Sequence, residues 1–166
     1  MPEKKIIERA RRLKHEGKAP TTQAGEFVRE EMEHIREGKH GARSTKQAIA
    51  IGLSKARRAG VNLPPPRKGK ASEQTRTSAA HARSAGQEKG NHKTSPTRSR
   101  AISRVLKREG HRAASHEALS RQARSAARKR SPAERSASAR KGQRKRSAAE
   151  RSASARKAAR TRARSR

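Results

Sequence analysis

The chain has no cysteine, tryptophan, tyrosine or aspartate, and Phe27 is its one aromatic residue. Without cysteine there is no disulfide framework and no thiolate metal site. Without aromatics there is no stacking platform for unpaired bases and little to anchor the chain in a lipid interface. No apolar run approaches a membrane span, and the start, MPEKKIIERARR, lacks the apolar stretch of a signal peptide, so the expected location is cytoplasmic, at the nucleoid. Apolar residues make up 28 % of the 166, and much of that is alanine. That is too little to offset the entropy of ordering every residue, so one ordinary domain of this size is not expected.

What is abundant is positive charge: 46 Lys and Arg against 14 acids, a formal net of +32. It is unevenly spread. Residues 1–66 carry 15 basic and 8 acidic side chains and most of the large apolar ones, whereas residues 67–166 carry 31 and 6, a net of +25. The only large aliphatics in the second part are Ile102, Val105, Leu106 and Leu119. The expectation is an all-α protein: a small three-helix head over 1–63 and a long, largely disordered, helix-prone basic tail. Within that tail, 64–94 reads as a Pro/Gly/Ser-rich basic linker and 95–130 as weakly amphipathic basic helical segments. Residues 131–166 hold repeats rich in Ala, Arg and Ser.

In the head, Ile6, Ala10 and Leu13 recur at helical spacing before Gly17 and define a first helix over 2–16. A second, capped by Thr21 or Thr22, runs to Glu37 with Ala24, Val28, Met32 and Ile35 as its stripe and Gly38 as its stop. Its other faces carry Glu26, Glu30, Glu31, Glu33 and Glu37, read as solvated. Local pairs Glu26–Arg29 and Glu33–Arg36 are the simplest use for two of them, and masking of the basic tail is the alternative. Ser44-Thr45-Lys46-Gln47 matches a capping box that opens a third helix, to Ala59, with Ile49, Leu53 and Ala56 inward and Gly52 allowing close approach of a partner helix. Pro64-Pro65-Pro66 then makes a semi-rigid extended spacer. A head this short is marginal alone, which points to a homodimer through the third helix.

The tail contains one sixteen-residue unit written twice, SPAERSASARKGQRKR from Ser131 and SAAERSASARKAARTR from Ser147. Both open with S-x-x-E, so Glu134 and Glu150 belong to helix starts rather than to charge neutralisation. Gly142 offers a break between the two units. Chemistry of this kind suits phosphate neutralisation, in which each Lys or Arg contact releases condensed counterions and reads no base sequence. The candidate nucleic-acid contacts are Arg128, Lys129, Arg130, Arg135, Arg140, Lys141, Arg144, Lys145, Arg146, Arg151, Arg156, Lys157, Arg160, Arg162, Arg164 and Arg166. In the head, Lys39, Arg43, Lys46, Lys55, Arg57 and Arg58 lie before or on the third helix, where an anion could be held. A helix-turn-helix reading of helices two and three competes there with an ordinary small bundle, and the bundle is the simpler account.

The seven histidines show no ligand spacing, so no metal or other cofactor is expected. Glu30-Glu31 is the one pair of adjacent carboxylates and no nucleophile–base–acid constellation appears, so an enzyme is not expected.

The run STKQAIAIGLSKARRAG, Ser44 to Gly60, resembles the signature of a bacterial family of short, Lys/Arg-rich proteins of unknown function that are often labelled DNA-binding. The runs Leu119 to Arg128 and Ala158 to Arg162 are similar to segments of the same proteins, and the tail resembles linker-histone-like basic tails in composition. The resemblance implies a basic, non-enzymatic protein. Together with the charge it points to non-sequence-specific binding of duplex DNA by a histone-like, nucleoid-associated protein. The alternatives are an RNA- or ribosome-associated protein and an interaction protein that binds acidic partners.

Overall fold

The computed structural model describes residues 2–88, 95–144 and 146–164. Lys145, Arg166 and the linker residues 89–94 lie outside them. The described residues form eight α-helices and one 3₁₀ turn, with no strand among them. The helices are α1 (Lys4–His15), α2 (Pro20–Arg36), α3 (Thr45–Arg58), α4 (Glu73–Gln87), α5 (Pro96–Arg108), α6 (His116–Arg128), α7 (Pro132–Arg144) and α8 (Ala148–Arg164), and the 3₁₀ turn is His111–Ala114. The chain divides into a unit over 1–122 and another over 123–166.

In the first unit α2 is the central helix. It packs on α1 along one side and on α3 along another, and α3 in turn receives α4. One apolar cluster joins Ile6 and Ala10 of α1, Ala24 and Phe27 of α2, Ala56 of α3, and Val61 and Leu63 beyond it. The second joins Met32 and Ile35 of α2, Ala42, Ala48 of α3, and Ala113 and Ala114 of the 3₁₀ turn, with Leu119 packed at its edge. Gly52 sets the α2–α3 distance, because a Cβ there would stand 2.7 Å from the Val28 Cα. The partner helix expected at this glycine is therefore α2 of the same chain. α3 is occupied by α2 on one side and α4 on the other, so the helix on which a homodimer was expected is already packed within the chain.

Several helix ends follow the sequence directly. Ser44 Oγ accepts from the Gln47 N–H at 3.2 Å, and the Gln47 side chain accepts in return from the Arg43 N–H at 2.8 Å. α2 starts at Pro20 rather than at a threonine cap, because proline at the first helical position already has the helical φ and has no N–H to satisfy. Gly17, Gly38 and Gly60 all have positive φ just after their helices, the conformation that favours glycine at a helix stop.

Three expectations are corrected. The tail is not largely disordered: its described residues carry α4, α5, the 3₁₀ turn and α6, and α7 and α8 cover the described length of the repeats apart from a short connection. The reason is local. Ser131 Oγ accepts from the Glu134 N–H at 3.2 Å while the Glu134 carboxylate accepts from the Ser131 N–H at 2.8 Å, and Ser147 and Glu150 repeat the same two bonds. Reciprocal caps followed by Ala and Arg give each unit a satisfied start and good helix formers. Gly142 does not interrupt the repeats, since it lies inside α7. The second cap at Ser147 marks the new start.

The head is also larger than three helices. Residues read as linker contain α4, capped by Ser72 and packed on α3, with Ala79 and Ala82 buried. The proline run turns back along α3: Arg57 donates to the carbonyls of Leu63 and Pro64 at 3.1 and 3.2 Å, and Arg76 of α4 donates to that of Pro66 at 3.3 Å. The 3₁₀ turn docks as well. Thr45 donates its hydroxyl to the Ala113 carbonyl at 2.7 Å and Arg36 donates to that of Ala114 at 3.0 Å. The third correction concerns the acids of α2. Glu30 and Glu31 are buried, not solvated. A helix covered on two sides has little free face, and both residues fall toward its neighbours.

Candidate functional site

Two regions carry the functional candidates. In the repeats every described side chain is exposed, and the basic ones are arranged by helical spacing. On α8, Arg156, Arg160 and Arg164 follow one another at i, i+4, i+8 with Lys157 beside them, a stripe about 100° wide. Arg140, Lys141 and Arg144 reproduce it on α7, and Arg135 and Arg151 fall on the opposite faces of their helices. Ala153, Arg156, Lys157 and Arg160 line a shallow groove on α8. Arg162 also lies off the stripe. Arg128 ends α6, and Lys129, Arg130 and Arg146 occupy the connections, all exposed. Beyond Glu134 and Glu150, both committed to caps, these helices carry no acid. Along either stripe the charges are spaced as contacts to a polyanion would require, and the described residues of α7 and α8 bury no side chain.

The head candidates divide. Arg43, Lys46 and Arg58 are exposed. Lys55 is not free: its Nζ stands 2.6 Å from Oε2 of the wholly buried Glu31. Arg57 is buried, its guanidinium spent on the Leu63 and Pro64 carbonyls, and burial pushes its pKa down from the ordinary arginine value. Lys39 pairs with Glu37 at 2.9 Å and Glu3 at 3.7 Å. The hydrogen bond to Glu37 is the main cause of its raised pKa. The structure does not gather these six cations into one anion site.

The acids of α2 serve the head itself. Glu26 pairs with Arg9 of α1 at 3.3 Å rather than with Arg29, and Arg29 pairs with Glu33 at 3.1 Å. Glu30 accepts the Glu3 N–H at 2.7 Å. Glu31, His34 and His40 each place a possible ligand atom within 4.8 Å of the other two, and Glu3, Glu30 and His34 form an adjoining group of the same kind. The sequence of α2 alone does not bring these groups together, because the turn at Gly38 and the helices packed on α2 do so. The readable signal was Glu31-x-x-His34, an i, i+3 pair on one face, followed by a histidine just past the Gly38 stop.

Residues 21–68, from α2 through α3 to the proline run, match a family of unknown function, DUF6496. No curated protein and no solved structure gave a match. No helix among the described residues is long and apolar enough to cross a membrane.

Proposed function

We propose that this is a nucleoid-associated, histone-like protein that binds duplex DNA without sequence specificity, through phosphate contacts made by α7 and α8. The observation that carries the reading is the pair of capped, fully exposed helices, each with a basic stripe and no acid beyond its cap. Arginine dominates over lysine in both, which suits bidentate phosphate contact. Residues on these stripes neutralise phosphates and release counterions, and no aromatic or amide side chain among them reads a base edge. The sixteen-residue repeat makes the two helices equivalent binding units, so one chain bridges neighbouring segments of duplex. Arg43, Lys46 and Arg58 add sparse contacts from the head. The label often attached to proteins with the Ser44–Gly60 signature agrees with this reading.

A gel-shift series with duplex DNA and structured RNA across 50–200 mM salt tests it. With about ten contacts, log K falls against log[salt] with a slope near −9 on duplex DNA. Equal affinity for RNA and for polyphosphate would move the protein out of a dedicated DNA role, and no binding to duplex near 150 mM salt would sink the proposal.

A further inference from the structure

We propose that Glu31, His34 and His40 form a binding site for a divalent cation of the zinc class. Glu31 and His34 lie one turn apart on α2, and His40 is carried back to them by the turn at Gly38, whose φ is 75°. The candidate ligand atoms of the three lie within 4.8 Å of one another.

The carboxylate of Glu31 is the second, independent pointer. It is 0 % exposed, and Lys55 Nζ stands at 2.6 Å from its Oε2. Its Oε1 has no hydrogen-bond partner, although His40 Nε2 is only 3.4 Å away. A buried carboxylate oxygen left without a donor is costly. His40 Nδ1 lies 3.1 Å from the Gly41 carbonyl oxygen, a contact that makes sense only with the proton on Nδ1. With that proton on Nδ1, a neutral ring turns the Nε2 lone pair toward Oε1 of Glu31, 3.4 Å away, the spacing of two ligands to one ion. A backbone carbonyl holding one imidazole nitrogen is the usual support for a histidine whose other nitrogen ligates a metal. The separation fits as well: ligands at 2.0–2.1 Å from a tetrahedral centre lie about 3.4 Å from each other.

The donors choose the ion. Two imidazoles and one carboxylate suit zinc and its neighbours, whereas calcium and magnesium prefer oxygen sets and copper(I) prefers thiolates. His34 and His40 retain 13 % and 18 % side-chain exposure, which leaves a path for the ion and for a water as fourth ligand. The buried carboxylate of Glu30, whose Oε2 has no hydrogen-bond partner, adds negative charge beside His34 and helps offset Lys39 and Lys55. The ion would fasten α2 to the loop after it. That loop is already held by the end of α5, where the Leu106 carbonyl accepts from the Gly41 N–H at 2.8 Å and the Gly110 carbonyl accepts from the Ala42 N–H at 3.1 Å. Metal binding therefore secures the docking of residues 106–114 on the head.

The test is titration of the full chain, first stripped with chelator, with Zn²⁺ and with Co²⁺. One equivalent of Zn²⁺ should bind and raise the thermal midpoint, and Co²⁺ should give the visible absorption of a low-coordinate nitrogen/oxygen site. His34→Asn and His40→Asn should each weaken Zn²⁺ binding at least about tenfold while the far-ultraviolet helical signal is retained. His81→Asn, on exposed α4 surface, should leave binding unchanged. Absence of saturable uptake by the wild-type chain, an octahedral-type Co²⁺ spectrum, or undiminished affinity in a folded His34→Asn/His40→Asn double variant would overturn the site. The wild-type measurements decide the matter even where a variant fails to fold.

Discussion

The residue scale is where this basic protein looks least like its composition. Lys55 and Glu31 are both turned inward, and each depends on the other, because an unpaired charge at a wholly buried position has no solvent to recover. Lys55→Ala should therefore cost about 3–5 kcal/mol in urea unfolding of the metal-free protein, far more than removal of an exposed cation such as Arg43. Glycine acts at this scale by what it omits. A Cβ at Gly52 would press on the Val28 backbone, so Gly52→Ala should destabilise by about 1–3 kcal/mol despite the better helix propensity of alanine. At Gly41 it would overlap the Glu109 carbonyl. Gly41→Ala should thus release α5 from the loop, seen as faster amide exchange at the Ala42 N–H. Glu117 supplies a directional pH effect. Bonds from its own N–H and from Ser115 hold its carboxyl below the ordinary carboxylate range. Its contribution is thus fully present above the unfolded value, near pH 4.3, and fades as pH falls through the lower folded value. Fraying of α6 in acid, followed by amide exchange at Ala118, checks it.

At the scale of the element, helix ends count for more than helix faces. α7 and α8 bury nothing, so no tertiary packing contributes to their stability. What they have is a reciprocal Ser/Glu cap, worth about 1 kcal/mol on the serine side alone, set against repulsion of a few tenths per Arg pair. Ser131→Ala/Ser147→Ala should accordingly lower the helical circular-dichroism signal of the full chain while its thermal unfolding midpoint stays in place. Glu134→Gln, which can still accept from the Ser131 N–H, should lose much less. α4 shows the opposite case. Its buried residues are Ala79 and Ala82, and Gly86 lies against α3, where a Cβ would run into the Arg57 carbonyl. Such a helix packs by closeness rather than by hydrophobic bulk, and its face reads in sequence as low complexity.

Over the whole molecule the chain separates two tasks. Residues 1–122 spend nearly all their acids and several of their cations on holding one another, whereas 123–166 leave their cations unspent on packing. Deleting 131–166 should abolish most duplex affinity and flatten its salt slope, with the thermal midpoint of the head unchanged. The converse idea, that α2 masks the tail, loses its material: Glu26, Glu30 and Glu31 are engaged within the head.

The basic repeats, the three head helices, the Ser44 cap and the glycine stops were legible from residue type and spacing, because those signals act over four residues or fewer, whereas the threonine cap expected for α2 gave way to Pro20. The stop at Gly38, the cap at Ser44 and the boxes at Ser131 and Ser147 all need only neighbours in the chain. Nothing local marks Glu31 as buried or joins it to His40 and Lys55, and nothing local shows that Ala113 and Ala114 close the core. Alanine carries almost no hydrophobic signature, yet at a close helix crossing it fits where a larger residue cannot. The sequence by itself determined the capping boxes at Ser44, Ser131 and Ser147, the glycine stops of the head helices and where the charge accumulates. Only the tertiary structure decided which charges are available, since that depends on what stands opposite each side chain across the α2–α1 and α2–α3 interfaces.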